Sequence, residues 1–129
     1  MQILLITSDN LLRDQVKVGL QQFPETQVTC GESFPGVNLL RTVDFELVFV
    51  QLGDNPQDAL VLVHHLRSFD QTTELIAIGD ERIVKDLSRE KQKHGISGFL
   101  TDPLDVTDFF RLIARMRSRC DDCEPLPAR

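Results

Sequence analysis

The sequence predicts an α/β fold: a doubly wound parallel sheet of five strands with helices on both faces. Two observations support this fold. Five apolar, strand-like runs alternate along the chain with segments whose apolar residues recur at helical spacing. The third run, at 46–52, is apolar almost throughout, which is typical of a parallel strand buried on both faces. A chain of 129 residues is long enough for one such domain with a single core.

The apolar runs predict five strands, and the segments between the first three strands predict two helices. Strands are predicted at 3–6, 27–29, 46–52, 74–78 and 96–100. After the first strand, Leu12, Val16 and Leu20 share one helical stripe, and Asn10 is a candidate N-cap. A short second helix is predicted at 35–43.

Later segments predict three more helices and a tail. The third and fourth helices are indicated by short apolar stripes at Ala59, Val63 and Leu66 and at Ile83, Val84 and Leu87. Gly95 is expected to end the fourth helix, because glycine readily adopts the left-handed conformation that stops helices. The last helix is predicted to begin at Asp105, among cap-type acids, and to end at 117–119. Residues 119–129 contain two prolines and no periodicity, which predicts a linker.

Charge and composition argue against several classes of function. The net charge of −6 opposes attraction to nucleic acids or anionic membranes, since both favour Lys and Arg. No apolar run approaches the roughly 20 residues that span a bilayer. The N-terminus lacks the basic segment of a signal peptide. We therefore expect a cytoplasmic protein with no direct nucleic acid binding and no membrane insertion.

The cysteines and histidines give no clear signature of a site. Cys120 and Cys123 have C-x-x-C spacing, but they follow the last predicted helix, and a structural zinc site needs about four ligands. They are interpreted as incidental, with redox and metal-binding roles left open. His64 and His65 are adjacent on a helix and point about 100° apart, which is poor geometry for a shared metal ion. His94 is interpreted as a partner of a helix C-terminus.

A glycine, aromatic and proline pattern surrounds the predicted fifth strand. It consists of the run GISGFL at 95–100, followed by Pro103. Together with the hydrophobic first strand, this pattern resembles the CheY-like receiver domain of response regulators over residues 1–118. The resemblance implies the CheY- and flavodoxin-like strand order 2-1-3-4-5, with the functional site at the carboxyl ends of the strands.

The positions that carry the chemistry of receiver domains have all changed. The resemblance places the acidic pair on Thr7 and Ser8, the phosphoacceptor on Gln51, the hydroxyl residue after strand 4 on Gly79 and the lysine on Asp102. An amide is a poor nucleophile and forms no acyl phosphate. Receivers hold Mg²⁺ through carboxylates and offset phosphoryl charge with cations. We therefore expect a pseudo-receiver, a degenerate receiver with no catalytic residues, no cofactor and no tight metal site.

Four acidic residues leave one alternative open. Asp9, Asp54, Asp80 and Asp102 lie near the ends of predicted strands. They could build a different metal site at the same edge of the sheet. The commoner arrangement is a set of acidic loop residues that face water.

A closer resemblance lies within the receiver-like families. The segments GDNP at 53–56, IAIGD at 76–80, GISGFL at 95–100 and DPLD at 102–105 resemble the atypical receiver at the N-terminus of TadZ/CpaE pilus-assembly proteins. Those proteins carry a MinD/ParA-like ATPase after the receiver and help to position a Tad-type pilus machine at the cell pole. Residues 1–129 contain no Walker-type loop, so the resemblance implies that any ATPase activity belongs to a following domain.

Three functions are compared on these grounds. The leading hypothesis is a phosphorylation-independent interaction domain in signal transduction, in its most specific form a TadZ/CpaE-type protein. The alternative is the degenerate N-terminal regulatory domain of a response-regulator-type transcription factor, such as a sigma-54 activator. An enzyme is third, because no nucleophile with a neighbouring base is visible.

The resemblance implies a contact face on the fourth helix, the fifth strand and the last helix, used for a homodimer or a protein partner. Val84, Leu87, Phe109 and Leu112 are its candidate apolar residues. Phe109 and Phe110 are adjacent, so they cannot share one narrow stripe. Phe109 and Leu112 either extend one wide buried face or reach an exposed patch. The candidate rim charges are Lys85, Asp108 and Arg111.

Overall fold

Strands and helices alternate along the chain. In the computed structural model the described residues are 1–23, 25–53, 55–102 and 104–123. In chain order the elements are β1 (Gln2–Ile6), α1 (Asn10–Leu20), β2 (Gln27–Gly31), α2 (Ser33–Asn38), β3 (Leu47–Gln51), α3 (Pro56–Arg67), β4 (Glu74–Gly79), α4 (Glu81–Leu87), α5 (Lys91–His94), β5 (Gly98–Thr101) and α6 (Val106–Cys123). Short 3-10 turns at Leu39–Arg41 and Ser88–Glu90 follow α2 and α4.

The strands form one parallel sheet in the order β2-β1-β3-β4-β5. This confirms the predicted fold class and strand order. Ile3 of β1 lies opposite Val28 on one side and Leu47 on the other. The chain runs from β1 to β2 on one side of β1 and then crosses from β2 to β3 on the other side. The carboxyl ends of β1 and β3 therefore flank the crevice where doubly wound sheets place their sites.

Alternate strand residues supply two hydrophobic clusters, one on each face of the sheet. Leu4 and Ile6 of β1 join the cluster covered by α2 and α3. Ile3 and Leu5 join the cluster covered by α1 and α6. Side chains alternate between the faces of a strand, and helices cover both faces here. The central strands are therefore apolar at successive positions.

Some element boundaries differ from the predicted ones for local reasons. Asp9, not Asn10, caps α1: its Oδ1 accepts hydrogen bonds from the backbone N of Leu11 at 2.9 Å and of Leu12 at 3.4 Å. The predicted fifth strand at 96–100 starts later, at Gly98. Ser97 is still joined to β4 just before β5 begins: its backbone N donates to the carbonyl of Leu75 at 2.8 Å, and its hydroxyl accepts from the backbone N of Leu75 at 3.0 Å.

The C-terminal helices also differ from expectation. The predicted fourth helix is divided into α4, a 3-10 turn and α5. Gly95 ends α5 with a φ of 72°, which confirms the predicted left-handed stop. α6 continues to Cys123, so the predicted helix end at 117–119 is too early, and Cys120 lies within the helix. Residues 124–129 of the predicted linker lie outside the described residues.

The apolar face of α6 is buried, which corrects the expectation of an exposed patch. Phe109 is 2% exposed and Leu112 is 5% exposed. They pack with Ile113 and Met116 in the cluster beneath α1. A Cβ at Gly19 of α1 would lie 2.7 Å from Cε2 of Phe109, so the ring fits against the helix only because residue 19 has no side chain. α6 thus has one wide buried face, and neither Phe109 nor Leu112 is available as an exposed anchor.

Phe109→Ala is expected to lower the free energy of unfolding by about 3–5 kcal/mol, as for other buried aromatic residues. The ring also packs against Phe49, with the ring centroids 5.9 Å apart. The matched control is Phe110→Ala, which removes the adjacent, half-buried ring and should cost clearly less. Urea denaturation followed by circular dichroism measures both variants. Equal losses would contradict the burial of Phe109 described above.

Candidate functional site at the carboxyl edge of the sheet

The predicted functional positions lie at one edge of the sheet. Thr7 and Ser8 follow β1, Gln51 ends β3, Gly79 ends β4 and Asp102 follows β5. Since all the strands are parallel, their carboxyl ends share this edge. Within the set, the structure brings Thr7 into contact with Gln51, and Gly79 into contact with Asp102.

Thr7, Gln51 and Asp9 form a continuous hydrogen-bonded chain. The hydroxyl of Thr7, which is 4% exposed, donates to Oε1 of Gln51. Nε2 of Gln51 donates to Oδ2 of Asp9 at 3.3 Å. The backbone N of Asp9 donates back to the Thr7 hydroxyl at 2.9 Å. Both ends of the Gln51 amide are therefore engaged within the protein, and the second Asp9 oxygen caps α1.

Asp9 is ionised more readily than a free aspartate. The hydrogen bond from Gln51 lowers its pKa most, and the backbone hydrogen bonds from Leu12 and Leu11 lower it further, whereas partial burial opposes them. A carboxyl whose pKa is lowered on folding contributes stability above its unfolded pKa of about 3.9. That contribution is lost as the pH falls through the folded pKa.

Leu52 fills the space beside Gly79. A Cβ at residue 79 would lie 2.8 Å from Cδ1 of Leu52 and 3.2 Å from its Cβ. Leu52 is 2% exposed, and its backbone N donates to the carbonyl of Ile78 at 2.7 Å. The residue is therefore fixed in position by both packing and hydrogen bonding. Position 79 cannot hold serine or threonine unless Leu52 moves.

The remaining acidic residues at this edge contribute through the backbone or as helix caps. The backbone N of Asp102 donates to the carbonyl of Gly79 at 2.8 Å. Asp80 caps α4, since its Oδ1 accepts from the backbone N of Arg82 at 2.8 Å. Asp54 lies outside the described residues. Across the described part of the chain, no group of three or more His, Cys, Asp or Glu residues is placed to hold a metal ion.

A cavity of about 310 Å³ opens beside the hydrogen-bonded chain. Its lining includes Thr7, Gln51 and the carboxylates of Glu32 and Asp58. Nη2 of Arg13 donates to the carbonyl of Thr7 at 3.2 Å and to Oε1 of Glu32 at 3.5 Å. The two acids in the lining disfavour an anionic ligand. Sequence reasoning missed Arg13 and Glu32, and no motif marks either residue.

Some residues of the predicted contact face are exposed or half-buried, whereas others are buried. Val84 and Leu87 are half-buried on α4. The three candidate rim charges, Lys85, Asp108 and Arg111, are exposed. Asp108 and Arg111 also line a groove of about 800 Å³ between β5 and α6. With Phe109 and Leu112 buried, the use of this face for contacts stays a prediction.

Two histidines meet although they are far apart in the sequence. Nε2 of His64 lies 2.9 Å from Nδ1 of His94, and Nε2 of His94 lies 3.3 Å from the carboxylate of Glu90. These side-chain contacts link α3 to α5, and no sequence pattern predicted them. His65 turns away and its Nε2 lies 3.0 Å from Oδ1 of Asn38.

No helix within the described ranges has both the length and the apolar character needed to cross a bilayer.

Comparison with known proteins gives a match at the level of fold. No family model and no curated protein matches the sequence. The signal receiver domain of an HD domain-containing protein from Pseudomonas fluorescens Pf-5 superposes with a TM-score of 0.77 at 17% identity, covering 97% of this chain and 93% of that one.

Two further solved structures agree. The N-terminal receiver domain of a response regulator from Bacteroides fragilis has a TM-score of 0.75 at 16% identity and covers 89% of this chain and 94% of its own. Chemotaxis response regulator CheY4 of Vibrio cholerae has a TM-score of 0.74 at 15% identity, with 89% and 97% covered. The chain therefore has the receiver-domain fold of response regulators, and identities this low show the fold alone.

Gly79→Ser is expected to lower the free energy of unfolding by about 1–3 kcal/mol, because the new side chain overpacks against Leu52. Adding Leu52→Ala removes the obstruction. The double variant should then lose less than the sum of the single losses, with a coupling energy of about 0.5–3 kcal/mol. Leu60, a buried leucine of the same cluster, supplies the control. Gly79→Ser and Leu60→Ala should be additive in chemical denaturation, and additivity in the Leu52 pair would contradict the contact.

Gln51→Leu is expected to raise the pKa of Asp9, because it removes the hydrogen bond that lowers this pKa most. The variant should accordingly lose less stability than the native protein when the pH falls below the unfolded pKa of about 3.9. NMR titration of the side-chain carboxyl measures the shift directly.

Asp70 is the internal control for this titration. Burial raises the pKa of Asp70, but the hydrogen bonds from Thr73 and Thr72 lower it by more, so the pKa lies below its ordinary value. Those contacts do not involve Gln51, so the pKa of Asp70 should be the same in both proteins. An Asp9 titration that is also the same in both would refute the role assigned to Gln51.

Proposed function

We propose that this chain is a receiver-like protein-interaction and regulatory domain that works without phosphorylation. The observation that carries the proposal is the chain of hydrogen bonds from Thr7 through Gln51 to Asp9. The residue at the phosphoacceptor position is an amide that forms no acyl phosphate, and its carbonyl and amino group both have partners inside the domain. The packing of Leu52 against Gly79 supports the same conclusion, because it leaves no space for the hydroxyl residue of a typical receiver.

The proposal includes no enzymatic step. The Thr7 hydroxyl donates its proton to an amide carbonyl, which is too weak a base to activate a nucleophile. Ser8 is exposed and follows the strand directly. The receiver domains that share this fold support a regulatory role, which we place in the cytoplasm.

In its most specific form, the domain is the N-terminal part of a TadZ/CpaE-type protein for pilus assembly and localisation. Support comes from the short segments around β3, β4 and β5 that resemble those proteins, and the receiver fold agrees with it. The alternative is the N-terminal regulatory domain of a sigma-54-activator-like transcription factor. A deviant P-loop ATPase encoded next to this domain would favour the pilus role. An AAA+ domain with a helix-turn-helix would favour the transcriptional role.

The proposed contact face for a homodimer or a partner protein is formed by α4, β5 and α6. Half-buried Val84 and Leu87 offer its apolar contacts, and Lys85, Asp108 and Arg111 offer charges of both signs. Charges of both signs suit an interface that pairs with a copy of itself.

Incubation with acetyl phosphate and Mg²⁺ is expected to leave the intact mass of the domain unchanged. Gln51→Asp should also remain unmodified, because Thr7 and Ser8 supply no carboxylates for the metal and Asp102 supplies no cation. Intact-mass spectrometry measures both, and a receiver domain with a complete acidic site is the positive control. A stoichiometric, acid-labile phosphoryl adduct on the native chain would overturn the proposed function.

A further inference from the structure

Two histidines on different helices share a hydrogen bond. Nε2 of His64 on α3 lies 2.9 Å from Nδ1 of His94 on α5, and Nε2 of His94 lies 3.3 Å from Oε2 of Glu90. An ionised carboxylate can only accept hydrogen bonds, so Nε2 of His94 carries a proton and donates it to Glu90. Nδ1 of His94 then accepts from Nε2 of His64. The neutral pair thus has one arrangement of protons that satisfies all three side chains.

The pair can take up one proton and keep this hydrogen bond, but it cannot take up two. With one added proton, one ring is an imidazolium and donates to the remaining lone pair of the other ring. With two, every ring nitrogen carries a proton, so Nε2 of His64 and Nδ1 of His94 are two donors that face each other. The ring centroids are 5.2 Å apart, and two positive charges at this separation repel. The side chain of His94 is 10% exposed, so water offsets little of that repulsion.

The other charged side chains around the pair balance one another. Arg67 of α3, Lys93 of α5 and Glu74 of β4 line a groove of about 680 Å³ that also contains both histidines. Glu90 contacts His94 from the turn that precedes α5. Two positive and two negative groups leave no excess of negative charge to stabilise a doubly protonated pair.

The segment that carries His94 has little to hold it on the domain. Neither α4, the 3-10 turn at Ser88–Glu90 nor α5 contains a buried residue, and segments with few buried contacts open at low cost. Two hydrogen bonds from α3 reach the end of this segment. One joins His64 to His94, and in the other Nε of Arg67 donates to the carbonyl of Gly95 at 2.9 Å. A guanidinium stays charged in proteins, so of these two bonds only the one between the histidines responds to pH.

We propose that the contact of His64 with His94 is a pH-sensitive latch, which holds α5 against α3 at neutral pH and releases it on acidification. The latched pair binds at most one added proton and the released pair binds up to two, so a fall in pH favours release. Histidines change charge between about pH 5 and pH 8, which sets the range of the response. α4 precedes the released helix in the chain and belongs to the proposed contact face. An effect on that face rests on the proposed function, whereas the latch itself does not.

Residue-resolved hydrogen exchange by NMR tests the latch on the whole 129-residue chain. The reporters are the backbone amides of Gly95 and Ile96, which donate to the carbonyls of Gln92 and Lys91. Their protection factors, corrected for the intrinsic effect of pH on exchange, are compared at about pH 7.5 and about pH 5.5. Protection in the native chain should fall about fivefold at the lower pH, because the released form binds one proton more. Amides of β1 and β3 should keep their protection, since the release is local.

Two variants separate the latch from other effects of acid. In His64→Gln the side-chain amide donates to neutral His94 or accepts from protonated His94, so protection should change less than about twofold between the two pH values. His64→Leu removes the hydrogen bond, and protection should be low at both pH values. His65→Gln is the matched control. His65 is adjacent on the same helix but contacts Asn38 instead of α5, so this variant should keep the fall seen in the native chain.

Several results would overturn the proposal. They are equal protection of the reporter amides at both pH values in the native chain, the same fall in His64→Gln as in the native chain, and loss of the fall in His65→Gln. A parallel loss of protection in β1 and β3 would also overturn it, because the whole domain would then loosen. Phosphorylation is measured as a covalent change of mass and the latch as amide exchange, so either result can fail while the other stands.

Discussion

The burial of the central strands on both faces is the constraint on which the rest of the structure depends. β1 sends Leu4 and Ile6 to one cluster and Ile3 and Leu5 to the other. Helices must therefore cover both sides of the sheet, and the chain must cross over after every strand. The same constraint confines polar chemistry to the strand ends. Thr7 is almost fully buried there, and its hydroxyl consequently needs a partner within the protein, which Gln51 provides.

Sequence reasoning predicted the features that depend on local interactions and missed those that depend on contacts between distant segments. The apolar runs and helical stripes are local, and they predicted the sheet and the helical stop at Gly95. The resemblance supplied the strand order. The contact of Leu52 with Gly79 joins two different strand ends, and Arg13 reaches the carbonyl of Thr7 from the next helix. No sequence spacing indicates such contacts. The sequence left open whether Phe109 is buried or exposed. The packing of its ring on Gly19 shows that it is buried.

The polar side chains at the ends of β1 and β3 satisfy one another. The amide, the hydroxyl and the carboxylate each have a partner, and the carboxylate also caps α1. A network in which each member has a partner fixes one arrangement of the strand ends.

The close approach of Leu52 to Gly79 has a consequence for the substitutions that the domain tolerates. A hydroxyl residue at position 79 is disfavoured as long as leucine stays at 52, and a smaller residue at 52 opens a cavity as long as glycine stays at 79. Folding alone therefore disfavours a single change of this kind at either position, whatever its effect on binding. The two positions are expected to covary: a larger residue at 79 is tolerated only together with a smaller residue at 52.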